Sequence, residues 1–291
     1  MITHETYLGR CAAEQEQPCE LFQAPGVRLE HVCIDSMHSA DLGVFADALG
    51  SIMELEIACR AFHSNRHVGL ERLNDDLTQF YRAHPGLSQV TPLVMSQIKP
   101  PTHGYPFLKC KAAQARHLAE FGLTLAQRHR HGGGGRPKFS FSARHRMAAR
   151  TDEHLRLLVE LFLGMTRYCR SLEAMAFDRE ECKQGMLQFL TTLGHLNRLW
   201  RDGVDENDQI GLPFHLRPKA HMLHHLALDQ LQVHGSPSAT WCYADESFVG
   251  SIKKVAANTK HPSTLEQRVS EKAMLQAGLK AFDTSQGRKC Q

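Results

Sequence analysis

Apolar residues recur at steps of three and four over long proline-free stretches, and this pattern narrows what the chain can fold into more than any other feature. Leu155, Leu158, Leu161, Phe162, Met165, Tyr168, Cys169, Leu172 and Met175 form one stripe. Met186, Phe189, Leu190, Leu193, Leu196, Leu199 and Trp200 form a second. That period belongs to amphipathic helices, whose apolar stripes must be covered by one another. Asp178 and Glu181 have the spacing of a helix cap between the two. A third stripe, Leu42, Phe45, Ala46, Leu49, Ile52, Met53 and Leu55, predicts a helix that starts at Asp35 or Ser36 as its N-cap.

The remaining segments fill in a mainly α chain, a long-helix bundle with one or two N-terminal strands. Helices are expected from about His67 to Arg82, from Phe107 through Arg130, and near Lys219 to Val233, Thr240 to Thr259 and Ser263 to Phe282. Gly26 to Ile34, GVRLEHVCI, alternates like a single strand. LSQVTPLVMSQIKPP reads equally as an edge strand or an extended connector. Residues 1–34 are therefore expected as an irregular segment with one strand, 35–131 as helical, and 132–150 as a glycine-rich basic loop. Residues 151–282 are expected to be helical and to carry a C-terminal acidic helix, with 283–291 as a tail.

Composition excludes several classes. No apolar run approaches the roughly 20 residues of a membrane helix, and MITHETYLGR lacks the apolar core of a secretory signal, so an intracellular protein without a membrane partner is expected. Nine cysteines at irregular spacing suit reduced thiols better than a disulfide framework. The net charge of +3 gives no global attraction to polyanions. Charge is nevertheless segregated. No acidic residue lies between Phe121 and Thr151, where Arg128, Arg130, Arg136, Lys138, Arg144 and Arg146 accompany Phe139 and Phe141. Basic residues interleaved with aromatics suit a surface that tracks nucleic-acid phosphates, and equally a solvated loop.

Metal-ligating residue types occur in three places, each with a plainer alternative. His221 and His225 are spaced to share a zinc ion on a helix, but Met222 stands where a metalloprotease has its glutamate; the same histidines read as capping, packing or phosphate-contacting residues. Cys11, Cys19 and Cys33, with His31 and His38, hold the donors of a small zinc-binding module in a spacing that matches no tight knuckle. Their alternative is free cysteines. In WCYADESFVGSIKKV, Glu246 reads as a carboxylate for Mg²⁺ or Mn²⁺, with Lys253 and Lys254 facing a phosphate backbone, or as ordinary helix-end electrostatics.

Together these segments resemble a known family. CIDSMHSADLGV resembles the Asp-x-x-His block and following Leu-Gly-Val helix of CACTA-type (En/Spm-like) transposases. LRPKAHMLHHL and HGSPSATWCYADESFVG resemble the family's downstream pattern, and PFLKCKAAQARHLAEF resembles its linking helix. The resemblance implies the helical insertion and C-terminal part of an RNase H-like DDE transposase core. Asp35 and His38 would be its Asp-x-x-His pair and Glu246 its third catalytic carboxylate. It also implies DNA as partner, a nuclear location and metal-assisted DNA cleavage and strand transfer in the parent enzyme. The family's first two catalytic aspartates lie upstream of this block, and no aspartate precedes Asp35. An incomplete transposase that binds DNA is therefore expected, able to oligomerise; a non-enzymatic helical scaffold is the rival expectation.

Overall fold

The structure, a computed structural model, describes residues 3–60, 65–90, 92–98, 104–131, 151–202 and 212–257, with single helical positions at 270 and 274. Two compact units divide the chain, Met1–Thr240 and Trp241–Gln291. In the first unit the helices are α1 (His4–Glu14), α2 (Phe45–Arg60), α3 (Arg66–Ala83), the single turn α4 (Met95–Ile98), α5 (Ala112–His117) and α6 (Ala119–Arg130). They continue with α7 (Asp152–Glu173), α8 (Arg179–Arg201), α9 (Pro218–His225) and α10 (Leu231–His234). Wide π-helical turns at Met37–Val44 and Leu226–Gln230 lead into α2 and α10. The second unit contributes α11 (Tyr243–Ala257). No described helix is long and apolar enough to cross a membrane.

The two strongest stripes form an antiparallel pair. Successive contacts of His154 with Trp200, Glu160 with Gln188 and Arg167 with Glu181 run in opposite chain directions along α7 and α8. Asp178 caps α8 by accepting from the Glu181 N–H at 2.9 Å, as its spacing predicts. Gly164 and Gly185 let the two backbones approach: a Cβ on Gly164 would lie 2.7 Å from the Phe189 nitrogen, and one on Gly185 2.7 Å from the Tyr168 nitrogen. Met175 lies beyond the end of α7 and is fully exposed, outside the stripe to which its spacing assigns it.

Helix α2 is the centre of the unit. Every residue from Gly43 to Cys59 is buried, so the expected single apolar face is in fact a helix covered on all sides. Its start is wedged against α7 and α8, with the Phe45 ring 5.4 Å from Tyr168 and 4.9 Å from Phe189. Gly50 admits the extended segment before α5: a Cβ there would stand 2.6 Å from the Leu108 nitrogen, which donates to Ala46 O at 2.9 Å.

Several expectations are corrected. No strand forms among the described residues. Gly26–Ile34 instead contains a 3₁₀ turn at Leu29–His31, and no strand among the described residues pairs with it. The Gln230 side chain takes that place, with Oε1 accepting from the Ile34 N–H at 2.5 Å and Nε2 donating to Ile34 O at 3.0 Å. The segment 1–34 is less irregular than expected, since α1 forms there under a Thr3 cap. The helix expected from Phe107 begins only at Ala112 and breaks at Leu118. The Gly132–Gly135 loop, the 283–291 tail and, apart from the helical positions 270 and 274, the helix expected at Ser263–Phe282 lie outside the described residues.

Candidate functional site: the junction at Asp35–Val44

Asp35 begins a tightly tied turn. Its Oδ1 accepts from the Met37 N–H at 2.9 Å, its carbonyl accepts from the Ser39 N–H at 3.1 Å and hydroxyl at 2.7 Å, and its Oδ2 holds Nδ1 of His38. The carboxylate orients the imidazole, fixing which ring nitrogen faces it. The Asp35 side chain is 17% exposed and that of His38 47%. An oriented, half-exposed ring therefore stands at the rim of a buried segment.

The remainder of the turn is pinned by chain segments far away in sequence. Arg116 of α5 donates to Asp41 at 2.6 Å. Lys219 of α9 lies across Gly43, where a Cβ would meet Lys219 Cδ at 2.8 Å, and its Nζ donates to Leu42 O at 3.3 Å. Burial lowers the Lys219 pKa, and Arg217 lowers it further against the charges of Asp47 and Asp35. Ser36 donates to Pro237 O at 3.3 Å, and Gln230 links Ile34 to the Thr240 hydroxyl. The Asp35–Val44 turn thus meets the α5 segment, the start of α9 and the Gly235–Pro237 turn in one place.

Beside this junction lies an ionic and aromatic cluster. Arg217 grips Asp47 through two hydrogen bonds of 2.7 Å and lies over the Tyr105 and Phe107 rings, 5.6 and 5.3 Å from their centroids. Tyr105 stacks on His215 at 4.8 Å. Burial pushes the Asp47 carboxyl up to about 6 despite Arg217 and Lys219. Burial also lowers the His215 pKa, with Arg201 and Arg217 adding to it.

The same pairing repeats along α2. Glu54 binds Arg66, while Glu56 binds Arg128 at 2.8 Å and His129 at 2.9 Å. Burial raises the Glu56 carboxyl, but His129 and Arg128 outweigh it and leave the group below its ordinary value. Arg128, a DNA-contact candidate by sequence, also binds Asp76 at 2.6 Å, so its guanidinium neutralises carboxylates. Sequence reading missed Asp41, Asp47, Glu54 and Glu56 as ion-pair sites. The signal was there: a carboxylate within an almost wholly apolar run must find a cation when that run is buried.

The other candidates are scattered. Arg130 is exposed at the end of α6, and Lys253 and Lys254 are exposed on α11. Glu246 is exposed in the first turn of α11, in the second unit, its N–H donating to Cys242 O at 2.8 Å. Arg136, Lys138, Arg144 and Arg146 lie outside the described residues. Cys11 is buried, Cys19 exposed and Cys33 partly buried, with burial raising the Cys33 thiol pKa. Among the described residues no three His, Cys, Asp or Glu side chains are grouped to hold a metal ion. Both Asp35 oxygens already accept from protein donors, an arrangement that fits a cap and histidine brace better than a ligand of Mg²⁺ or Mn²⁺.

Comparison with protein-family models, with curated proteins and with solved structures finds no match to this chain.

Proposed function

We propose that this chain is a transposon-derived, DNA-binding helical protein related to CACTA-type transposases, corresponding to the insertion and C-terminal part of a DDE core. In this reading the Asp35–His38 pair braces the region where insertion and catalytic core adjoin. The parent reaction is metal-assisted DNA cleavage and strand transfer in the nucleus. That reaction is the parent's and is not assigned to this chain. DNA is held through phosphates by Arg130, Lys253 and Lys254, together with the basic residues of 132–150.

One observation carries the reading. The segments resembling the family's motifs lie far apart in sequence, yet Cys33–Val44, Pro106–Phe121, Leu216–Leu226 and the turn at His234–Pro237 meet through Asp41–Arg116, Leu42–Lys219 and Ser36–Pro237. Motifs that share one physical junction have a common reason to occur together in one chain.

The test is duplex-DNA binding across a salt titration, beside a variant with Arg130, Arg136, Arg144 and Arg146 changed to alanine. Affinity should fall steeply and log-linearly with salt, with a shallower slope in the variant. An absence of binding at low salt would leave a helical scaffold, whose arginines serve its buried carboxylates, as the better account.

A further inference from the structure

The outer face of α9 carries two imidazoles placed as a chelate. His221 and His225 are both exposed, one helical turn apart, and their Nε2 atoms stand 3.1 Å from each other. Two nitrogens each about 2.1 Å from a common ion lie about 3.0 Å apart at a right angle and about 3.4 Å apart at the tetrahedral angle. The observed separation falls between these values.

The pair is also braced. His225 Nδ1 lies 2.7 Å from Asp229 Oδ2, and a proton held there leaves the Nε2 lone pair directed toward His221. A carboxylate behind a histidine is the usual outer partner of a metal-bound imidazole, because it fixes tautomer and ring orientation. His224 lies to one side, its ring centroid 6.1 Å from that of His225.

We propose that His221 and His225 bind one divalent cation of the Zn²⁺, Ni²⁺ and Cu²⁺ class, with Asp229 as positioning residue and water in the remaining positions. The ion takes the place of the hydrogen bond between the two Nε2 atoms, and the proton of His221 moves to its Nδ1, so that both rings bind as neutral imidazoles. Imidazole nitrogen favours these metals over oxygen-seeking Mg²⁺. With no third protein donor among the described residues, the coordination sphere stays open, unlike that of a closed structural zinc site. Asp229 belongs to the same wide turn as Gln230, whose amide holds Ile34. A bound ion therefore firms the turn that clamps the Asp35 junction. The site stands whether or not the chain binds DNA.

The experiment takes the full chain, stripped of metal, and titrates it with Ni²⁺ by calorimetry beside His221→Ala, His225→Ala and Asp229→Asn; thermal unfolding with and without Zn²⁺ follows. All three residues are on the surface, and circular dichroism checks that the variants fold. The expected result is one tightest site that both histidine variants lose and that weakens about tenfold in Asp229→Asn. Zn²⁺ should raise the Tm of the native chain and not of the histidine variants. Wild-type affinity and Tm rise in His221→Ala and His225→Ala would overturn the site, and wild-type affinity in Asp229→Asn would remove the role given to that carboxylate.

Discussion

At the scale of single residues, Asp47 shows what a buried carboxylate requires. It is 1% exposed and relies on the two-pronged contact with Arg217. Arg217→Ala strands that carboxylate, and removing one partner of a buried pair costs about 3–5 kcal/mol. Urea unfolding of this variant should show a smaller loss at pH 5 than at pH 7, because a group raised to about 6 accepts a proton and sheds its charge. Equal losses at both values would mean that Asp47 is already neutral or well solvated. Linkage gives a second prediction. A carboxyl at about 6 when folded and about 3.9 when unfolded adds stability that is fully present below the unfolded value and lost as pH rises through the folded one. Glu56, whose folded value is depressed, acts oppositely: its contribution is present above its unfolded value and lost as pH falls. The stability difference between the native chain and Asp47→Asn isolates the first effect. It should decline between pH 4 and pH 7, and a flat difference would show that burial does not dominate at Asp47.

At the scale of elements, what the sequence made legible was what local period alone decides. The stripes of α7 and α8 read correctly because a 3.6-residue period and an Asp178 cap do not depend on which partner covers them. The Gly26–Ile34 alternation misled because period two does not reveal whether another strand is present. Its actual partner is the side chain of Gln230, 196 residues later. The same limit hid the candidate site. Asp41, Asp47, Glu54 and Glu56 stand out as charges in an apolar run, but nothing local says which of 34 lysines and arginines answers each. The wide turns at Met37–Val44 and Leu226–Gln230 were equally invisible, since they are set by Lys219 crossing Gly43 and by Gln230 reaching Ile34. Glycines in helices test this distinction. Alanine is the better helix former by about 1 kcal/mol, so Gly194→Ala, with nothing within 4 Å of its new Cβ, should stabilise the chain by up to that amount. Gly164→Ala places its Cβ 2.7 Å from the backbone of α8 and should destabilise by about 1–3 kcal/mol despite the same local gain. Two shifts of the same sign in urea midpoints would refute the close helix approach.

At the scale of the whole molecule, the division at Thr240 and the allocation of positive charge make one further prediction. Among the described residues the hydrophobic core cluster ends at Leu231, within the first unit. A chain ending at Thr240 should therefore unfold cooperatively in urea, with a midpoint close to that of the full chain. Four arginines of this unit, Arg66, Arg116, Arg128 and Arg217, are already committed to buried carboxylates. Lys253 and Lys254 instead lie exposed in the second unit. If they contribute phosphate contacts, removing residues 241–291, which carry these two lysines and six further lysines and arginines, should flatten the plot of log affinity against log salt by at least about two, at slightly under one per contact on duplex DNA. Arg128→Ala in the full chain should lower stability and leave that slope unchanged, because the guanidinium is spent on Glu56 and Asp76. A slope that falls with Arg128 and not with the truncation would place the DNA surface on α6 and take Lys253 and Lys254 out of it.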